Sequence, residues 1–218
     1  MKRKKRVGVI LAGCGYLDGA EIHEAVLTLL YLDQAGAEAV CFAPDMTQAH
    51  VVNHLTGQEM PDSRNVLIES ARIARGNVND IAQADPSALD ALIIPGGFGA
   101  AKNLCTFAFK GAEMAVHADV TRLIEAMHKA GKPIGAWCIA PALMAKLIPG
   151  VELTIGTDPG TAATLESLGA RHTHCAAGNI VIDSEKRVIT TPAYMLGPWI
   201  ADIAQGIERG VNEVLART

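Results

Sequence analysis

Aromatic residues make up only 4% of this 218-residue chain, and no apolar run approaches the roughly 20 residues that a membrane-crossing helix needs. The sequence also lacks a CxxC pair, an HExxH helix and a GxxxxGK[ST] loop, which argues against a structural zinc site, a zincin and a nucleotide-binding P-loop. Cysteine is scarce and odd in number: Cys14, Cys41, Cys105, Cys138 and Cys175 are widely spaced. That pattern is not a disulfide framework, so reduced thiols are expected. The first residues run from basic Lys2–Arg6 straight into a strand-like segment with no cleavable apolar region. The expectation is a cytoplasmic protein with no membrane contact.

Half of the residues are apolar, enough to fill a core with Ala, Val, Ile and Leu, and the length suits one α/β domain over 1–218, preceded by the basic arm 1–5. Net charge is −4, but five of the 19 basic residues lie within 2–6, leaving 14 against 23 acidic ones. An acidic body with a short basic arm reads as a solvated tail, not as a nucleic-acid binder.

Val/Ile/Ala-rich runs alternate with helix-period segments, the pattern of βαβ units around a buried parallel sheet. Strands are expected at 6–12, 37–43, 91–94 and 133–137, with short candidates at 151–155, 170–175, 179–183 and 187–190. Helices are expected at 21–34 (with Ile22, Ala25, Val26, Leu29 and Leu30 on its apolar face), 65–75, 120–130, 139–147 and from Pro198 to about 215. Residues 44–64 are polar and turn-rich.

Ligands of such a sheet bind beyond the carboxyl ends of its strands. Four unusual segments fall there: AGCGYLDGAE (12–21), PGGFGAAKN (95–103), WCIAP (137–141) and GTDPGT (156–161). Cys138 lies at a strand-to-helix corner, where a nucleophile is held exposed and the next N–H, that of Ile139, can face an oxyanion. A helix start there would favour thiolate. Pro95-Gly96-Gly97 offers backbone that can approach a ligand closely, with Gly97 as a second N–H donor. Asp18-x-x-Glu21 reads as a helix cap, whereas Glu24, one turn further in, has no such explanation and is a candidate general acid or base. Cys14 is a second rim thiol without an evident oxyanion site. Gly13-x-Gly15-x-x-x-Gly19 raises a dinucleotide reading, against which stand Asp18, Glu21 and Glu24 crowding the site of a pyrophosphate. His172 and His174 share a strand face but lack further metal ligands, so no metal and no cofactor is expected.

GVILAGCGYLDGAEIHEAVLTLLYLDQAGAEAVCFAPD, HLTGQEMPDSRNVLIESARIARG, ALIIPGGFGAAKNL, CIAPAL, LTIGTD and VITTPAYM closely resemble the ElbB glyoxalase-like proteins, a branch of the PfpI and class I glutamine amidotransferase-like superfamily. The resemblance spans nearly the whole chain. It implies a flavodoxin-like α/β sandwich with a mainly parallel central sheet and helices on both faces, commonly dimeric. It further implies Cys138 as elbow nucleophile, Glu24 as its carboxylate partner, and the N–H groups of Gly97 and Ile139 as oxyanion hole, with Cys14, Asp158 and Tyr194 as further pocket residues. Where many superfamily hydrolases carry a histidine, this chain has Ile139 and Asp158, which argues against peptide or glutamine hydrolysis. The implied activity is conversion of glyoxal to glycolate without glutathione or metal. The competing class is a non-catalytic redox sensor or scaffold linked to isoprenoid metabolism, which would use the same thiol.

Overall fold

A computed structural model describes residues 3–197 and 199–218. Its strands and helices run β1 (Arg6–Ile10), α1 (Ile22–Gln34), β2 (Glu38–Ala43), α2 (Val66–Ile73), β3 (Val78–Asp80), β4 (Ala91–Ile94), α3 (Phe98–Lys102), α4 (Phe107–Lys110), α5 (Ala118–Lys129), β5 (Ile134–Trp137), α6 (Pro141–Leu147), β6 (Glu152–Leu153), α7 (Pro159–Ser167), β7 (Arg171–His172), β8 (Val181–Asp183), β9 (Val188–Thr191) and α8 (Ile200–Ala216). Seven strands form one sheet in the order β3-β2-β1-β4-β5-β9-β8, parallel except for β8. This is the flavodoxin-like architecture expected. Strands β4 and β5 are buried along their whole length, because helices cover both faces of a parallel sheet.

The strand order reverses between β1 and β4. The β1–β2 crossover runs one way and the β4–β5 crossover the other, and right-handed connections therefore place α1 and α5 on opposite faces. Beside α1 lies α8, packed on β5 and β9. The junction is Trp137, wholly buried: its Nε1–H donates to Thr28 Oγ1 at 3.0 Å, and Thr28 donates to the Glu24 carbonyl at 2.7 Å. Gly135 and Gly210 leave room for the indole, since a Cβ at either would lie 2.6–2.7 Å from its ring.

Several elements differ from the sequence reading. Helix α1 buries Glu24, Ala25, Thr28 and Leu32, while Ile22, Val26 and Leu30 form an exposed stripe. The buried face holds two polar residues whose partners lie elsewhere in the chain, which hydrophobic periodicity cannot see. Short β3 is polar and pairs at the sheet edge, and α3, α4 and α7 lack a helical apolar period. The expected strand 170–175 shrinks to Arg171–His172, paired only with β6. Helix α8 begins at Ile200; the expected start at Pro198 and the arm's first two residues lie outside the described residues. Among the described residues no helix is long and apolar enough to cross a membrane.

Gly210→Ala should destabilise the protein by roughly 1–3 kcal/mol in urea unfolding, because overpacking against a fixed indole outweighs the better helix propensity of alanine. An unchanged midpoint would show that the Trp137 pocket yields.

Candidate active site

The loops after β1 and β4 approach so closely that only glycine fits between them. A Cβ on Gly19 would lie 2.3 Å from Cys14 N, on Gly97 2.3 Å from Glu21 N, and on Gly99 2.5 Å from the Gly19 carbonyl carbon. The contact is knitted by Phe98 N to Tyr16 O (2.7 Å), Gly99 N to Gly19 O (2.8 Å) and Glu21 N to Gly96 O (2.9 Å). The glycines of 13–19 thus serve backbone packing, and the Glu21 carboxylate already caps α1 by accepting from Glu24 N. A pyrophosphate has no place there, which sets the dinucleotide reading aside.

Cys138 follows β5 directly, with φ +58 in the left-handed region, a strained conformation for a residue with a Cβ that is typical of a nucleophile elbow. Its N–H donates to Thr191 O on β9 at 3.0 Å, so two neighbouring strands hold the turn. The N–H groups of Gly97 and Ile139 are directed at the sulfur, and the Glu24 carboxyl hydrogen-bonds it. Glu24 is wholly buried. Its Oε2 accepts from Gly96 N at 2.8 Å and its Oε1 from Tyr194 N at 3.2 Å. Gly96 must lack a side chain, because a Cβ would meet Cys138 Cβ at 2.4 Å and Glu24 Oε2 at 2.7 Å.

Burial pushes Glu24 up to about 8, with repulsion from Glu21 adding to it and the two backbone donors opposing it. Burial, and then the neighbouring Glu24 carboxylate, push the Cys138 thiol upward against the Gly97 and Ile139 donors. Both shifts are upward, so near neutral pH the carboxyl and the thiol each hold a proton, and the ionisation of one opposes that of the other. This corrects the expectation of a free thiolate created by a helix start. Helix α6 begins only at Pro141 and is seven residues long, too short and too far along to outweigh desolvation.

A largely apolar pocket of about 420 Å³ opens over Cys138, reached by Glu21, Gly97, Ile139 and Tyr194. The Tyr194 hydroxyl lies 2.7 Å from His23 Nδ1, so this histidine orients the tyrosine. His23 is marked by no sequence motif, and the second pocket acid, Glu21, is marked only as part of a helix cap.

Three expected site or cap residues lie elsewhere. Cys14 is on the α2 side of the β1 loop, where its neighbour Gly13 donates to Ser70 Oγ and where burial, Glu69 and Asp18 push the thiol up; it does not line the Cys138 pocket. Asp158 is exposed and caps α7, accepting from Thr161 N at 2.7 Å; it is Thr161 that reaches the pocket. Asp18 does not cap α1. It is buried and accepts from Val52 N at 2.7 Å, anchoring the 44–64 excursion. The His172 and His174 rings are 5.5 Å apart, and among the described residues no group of three His, Cys, Asp or Glu side chains could hold a metal.

A switch-point fold with an elbow cysteine, a buried carboxyl partner and convergent backbone donors defines the glutamine amidotransferase-like class that includes the DJ-1/PfpI proteins. Comparison with known proteins narrows this. Over 223 residues, covering 98% of this chain and 83% of its partner, the chain is 46% identical to the human glutamine amidotransferase-like class 1 domain-containing protein 3, mitochondrial. It is 45% identical to the rat ES1 protein homolog, mitochondrial, over 99% of this chain and 85% of that protein. The chain therefore belongs to the ES1 and ElbB-like family of glutamine amidotransferase-like proteins. A crystal structure of an isoprenoid biosynthesis protein with amidotransferase-like domain from Ehrlichia chaffeensis superposes with TM-score 0.91 at 36% identity, covering 98% of this chain and 100% of that one. Glyoxalase III from Candida albicans shares the fold at TM-score 0.64 and 16% identity over 98% of this chain and 97% of that one. No family model matches the chain.

These relatives overturn the cytoplasmic expectation, since both the human and the rat proteins are named mitochondrial. The expectation rested on apolar patterning, with neither a membrane-length run nor a cleavable apolar region read in the given residues. Neither feature distinguishes one reducing aqueous compartment from another.

Because Glu24 in the fold binds its proton up to about pH 8 while the unfolded chain releases it near 4.5, its contribution to stability is fully present below about 4.5 and is lost as pH rises toward 8. Relative to Glu24→Gln, the parent should lose up to about 1.4 kcal/mol per pH unit across that window in denaturant titrations. A pH-independent difference between the two would refute the buried carboxylic acid.

Proposed function

We propose that the chain is a glyoxalase that converts glyoxal to glycolate without glutathione or metal. The observation that carries this reading is the contact of Cys138 with Glu24 inside a ring of backbone donors, with no histidine on the thiol. Aldehyde addition needs a nucleophile, an oxyanion site and one group that moves protons, and this site has each. Amide hydrolysis would also need a partner that protonates a leaving amine, for which Ile139 and the exposed Asp158 offer nothing. The shared fold with a glyoxalase III is consistent with this chemistry.

The reacting form is the one in which Glu24 has released its proton to solvent; as aldehyde enters, the thiol proton passes to that carboxylate and Sγ adds to one carbonyl carbon, forming the S–C bond. The resulting oxyanion lies where the Gly97 and Ile139 N–H groups converge. Glu24 gives its proton to oxygen and then takes the hydrogen of the sulfur-bearing carbon as a proton, leaving an enediol. Reprotonation at the neighbouring carbon gives a thioester, and water cleaves the S–C bond to release glycolate and the thiol. One carbon is oxidised and its neighbour reduced, with water the only co-reactant. A redox sensor would draw on the same thiolate of Cys138, so catalytic turnover is what separates the two readings.

We also propose a homodimer in which two copies pair their Ile22–Val26–Leu30 stripes. One face spaced i, i+4, i+8 can meet itself across a two-fold axis.

Glycolate formation from glyoxal should vanish in Cys138→Ser, fall by about 100-fold or more in Glu24→Gln, and persist in Cys14→Ser. A parent that forms no glycolate ends the glyoxalase reading, whichever thiols react. For the assembly, light scattering should find a dimer that Val26→Glu converts to monomer; a parent monomer would refute the pairing.

A further inference from the structure

Asp18 carries a carboxylate oxygen that the fold leaves unmet. Its Oδ2 accepts from Val52 N at 2.7 Å, but among the described residues Oδ1 has no hydrogen-bond partner, although the side chain is only 1% exposed. A buried carboxylate oxygen without a donor is costly. Facing it is the half-buried ring of His54, whose Nε2 lies 3.8 Å from Oδ1.

The neighbours of His54 fix its tautomer. Nδ1 lies 3.0 Å from the Val52 carbonyl oxygen and must carry a hydrogen to bond it. Nε2 accepts from Leu17 N at 3.3 Å, so in the neutral ring this nitrogen is bare. Nε2 and Oδ1 are then two acceptors facing each other with no hydrogen between them. A proton on Nε2 reverses the arrangement. The imidazolium can no longer accept from Leu17 and is drawn to the unmet carboxylate, a charge-assisted bond stronger than the neutral one it replaces. A ring displacement of about 1 Å brings the two atoms to hydrogen-bond length. Gly15 permits that approach, since a Cβ there would lie 2.6 Å from Nε2 and 2.9 Å from Oδ1.

The ionisable groups around the ring come from three segments. The β1 loop supplies Asp18, the Tyr16 phenol and, next to Gly15, Cys14, whose thiol senses the Asp18 charge. On the 44–64 excursion, His50 lies 4.0 Å from Glu59. From α3, Lys102 donates to Leu17 O at 3.1 Å. Among the described residues only Asp18 pairs with His54. Movement of the ring reaches the Cys138 pocket through Tyr16. Its ring meets His54 edge-on with centroids 5.3 Å apart, it lines the pocket, and its carbonyl accepts from Phe98 N at 2.7 Å.

We propose that His54 and Asp18 form a proton-operated clasp between the 44–64 excursion and the β1 loop. The neutral ring holds the Leu17 N–H; the protonated ring releases it, binds Asp18 and resets the Tyr16 wall of the pocket. The clasp does not depend on what the pocket turns over, so it and the glyoxalase reading stand or fall separately.

Nuclear magnetic resonance of the full chain between about pH 8 and pH 5 tests this in the parent, Asp18→Asn and His54→Gln. Asparagine keeps an oxygen for Val52 N but offers the imidazolium no charge, and glutamine removes the titrating ring while leaving the buried anchor intact. In the parent, the His54 Nε2 signal should pass from bare to protonated as pH falls. Leu17 amide exchange, corrected for its intrinsic pH dependence, should rise about fivefold or more with the loss of one hydrogen bond. The Tyr16 ring and Phe98 amide signals should shift with the same midpoint. Both variants should lose most of the Tyr16 and Phe98 response. A His54 that takes up its proton while Leu17, Tyr16 and Phe98 stay unchanged would overturn the clasp, as would an Nε2 that remains bare throughout. A full Tyr16 and Phe98 response in either variant would assign the movement to other groups and overturn it too.

Discussion

A carboxyl and a thiol buried against each other, each hindering the other's ionisation, are the constraint on which the site depends. Two such groups out of water are tolerated only when their remaining hydrogen-bonding capacity is met. Here it is met almost wholly by backbone: Gly96 and Tyr194 donate to Glu24, and Gly97 and Ile139 point at the sulfur. Backbone donors cannot rotate away, so the arrangement is already in place before any substrate arrives. The glycines at 19, 96, 97 and 99 follow from this, because any side chain there would separate the loops that supply the donors.

The helical layer supports the same pair from behind. Glu24 is placed by α1, and α1 is tied to β5 through the Trp137–Thr28–Glu24 chain of hydrogen bonds. The strand that ends in the elbow is therefore coupled to the helix that carries its acid. Space for the indole is kept by Gly135 on β5 and Gly210 on α8. Packing far from the sulfur thereby bears on how carboxyl and thiol meet. On the solvent side, Tyr194 contributes its N–H to the acid and its ring to the pocket wall, with its hydroxyl steadied by His23.

Much of this was legible in the sequence where local rules apply. The alternation of apolar runs with helical periods identified the parallel sheet and its main helices, and the WCIAP corner and PGG turn marked which strand ends would meet. The reading failed where partners come from distant segments. Asp18 looks like a helix cap until the 44–64 excursion is seen to need its carboxylate. Asp158 matches a motif position, yet it is spent capping a helix that has almost no apolar period. Cys14 shares a loop with the site but faces the other side of it, and a turn of alternating glycines gives no hint of which way its side chains point.

Sequence by itself determined the fold class and the presence of a corner cysteine, because periodicity, turn chemistry and motif spacing are properties of neighbouring residues, and resemblance along nearly the whole chain supplied the family. Tertiary structure alone decided the ionisation of that cysteine, the face that α1 buries, and the size and charge of the pocket. Each of these depends on which distant groups displace water around a given atom, and desolvation cannot be read along a chain.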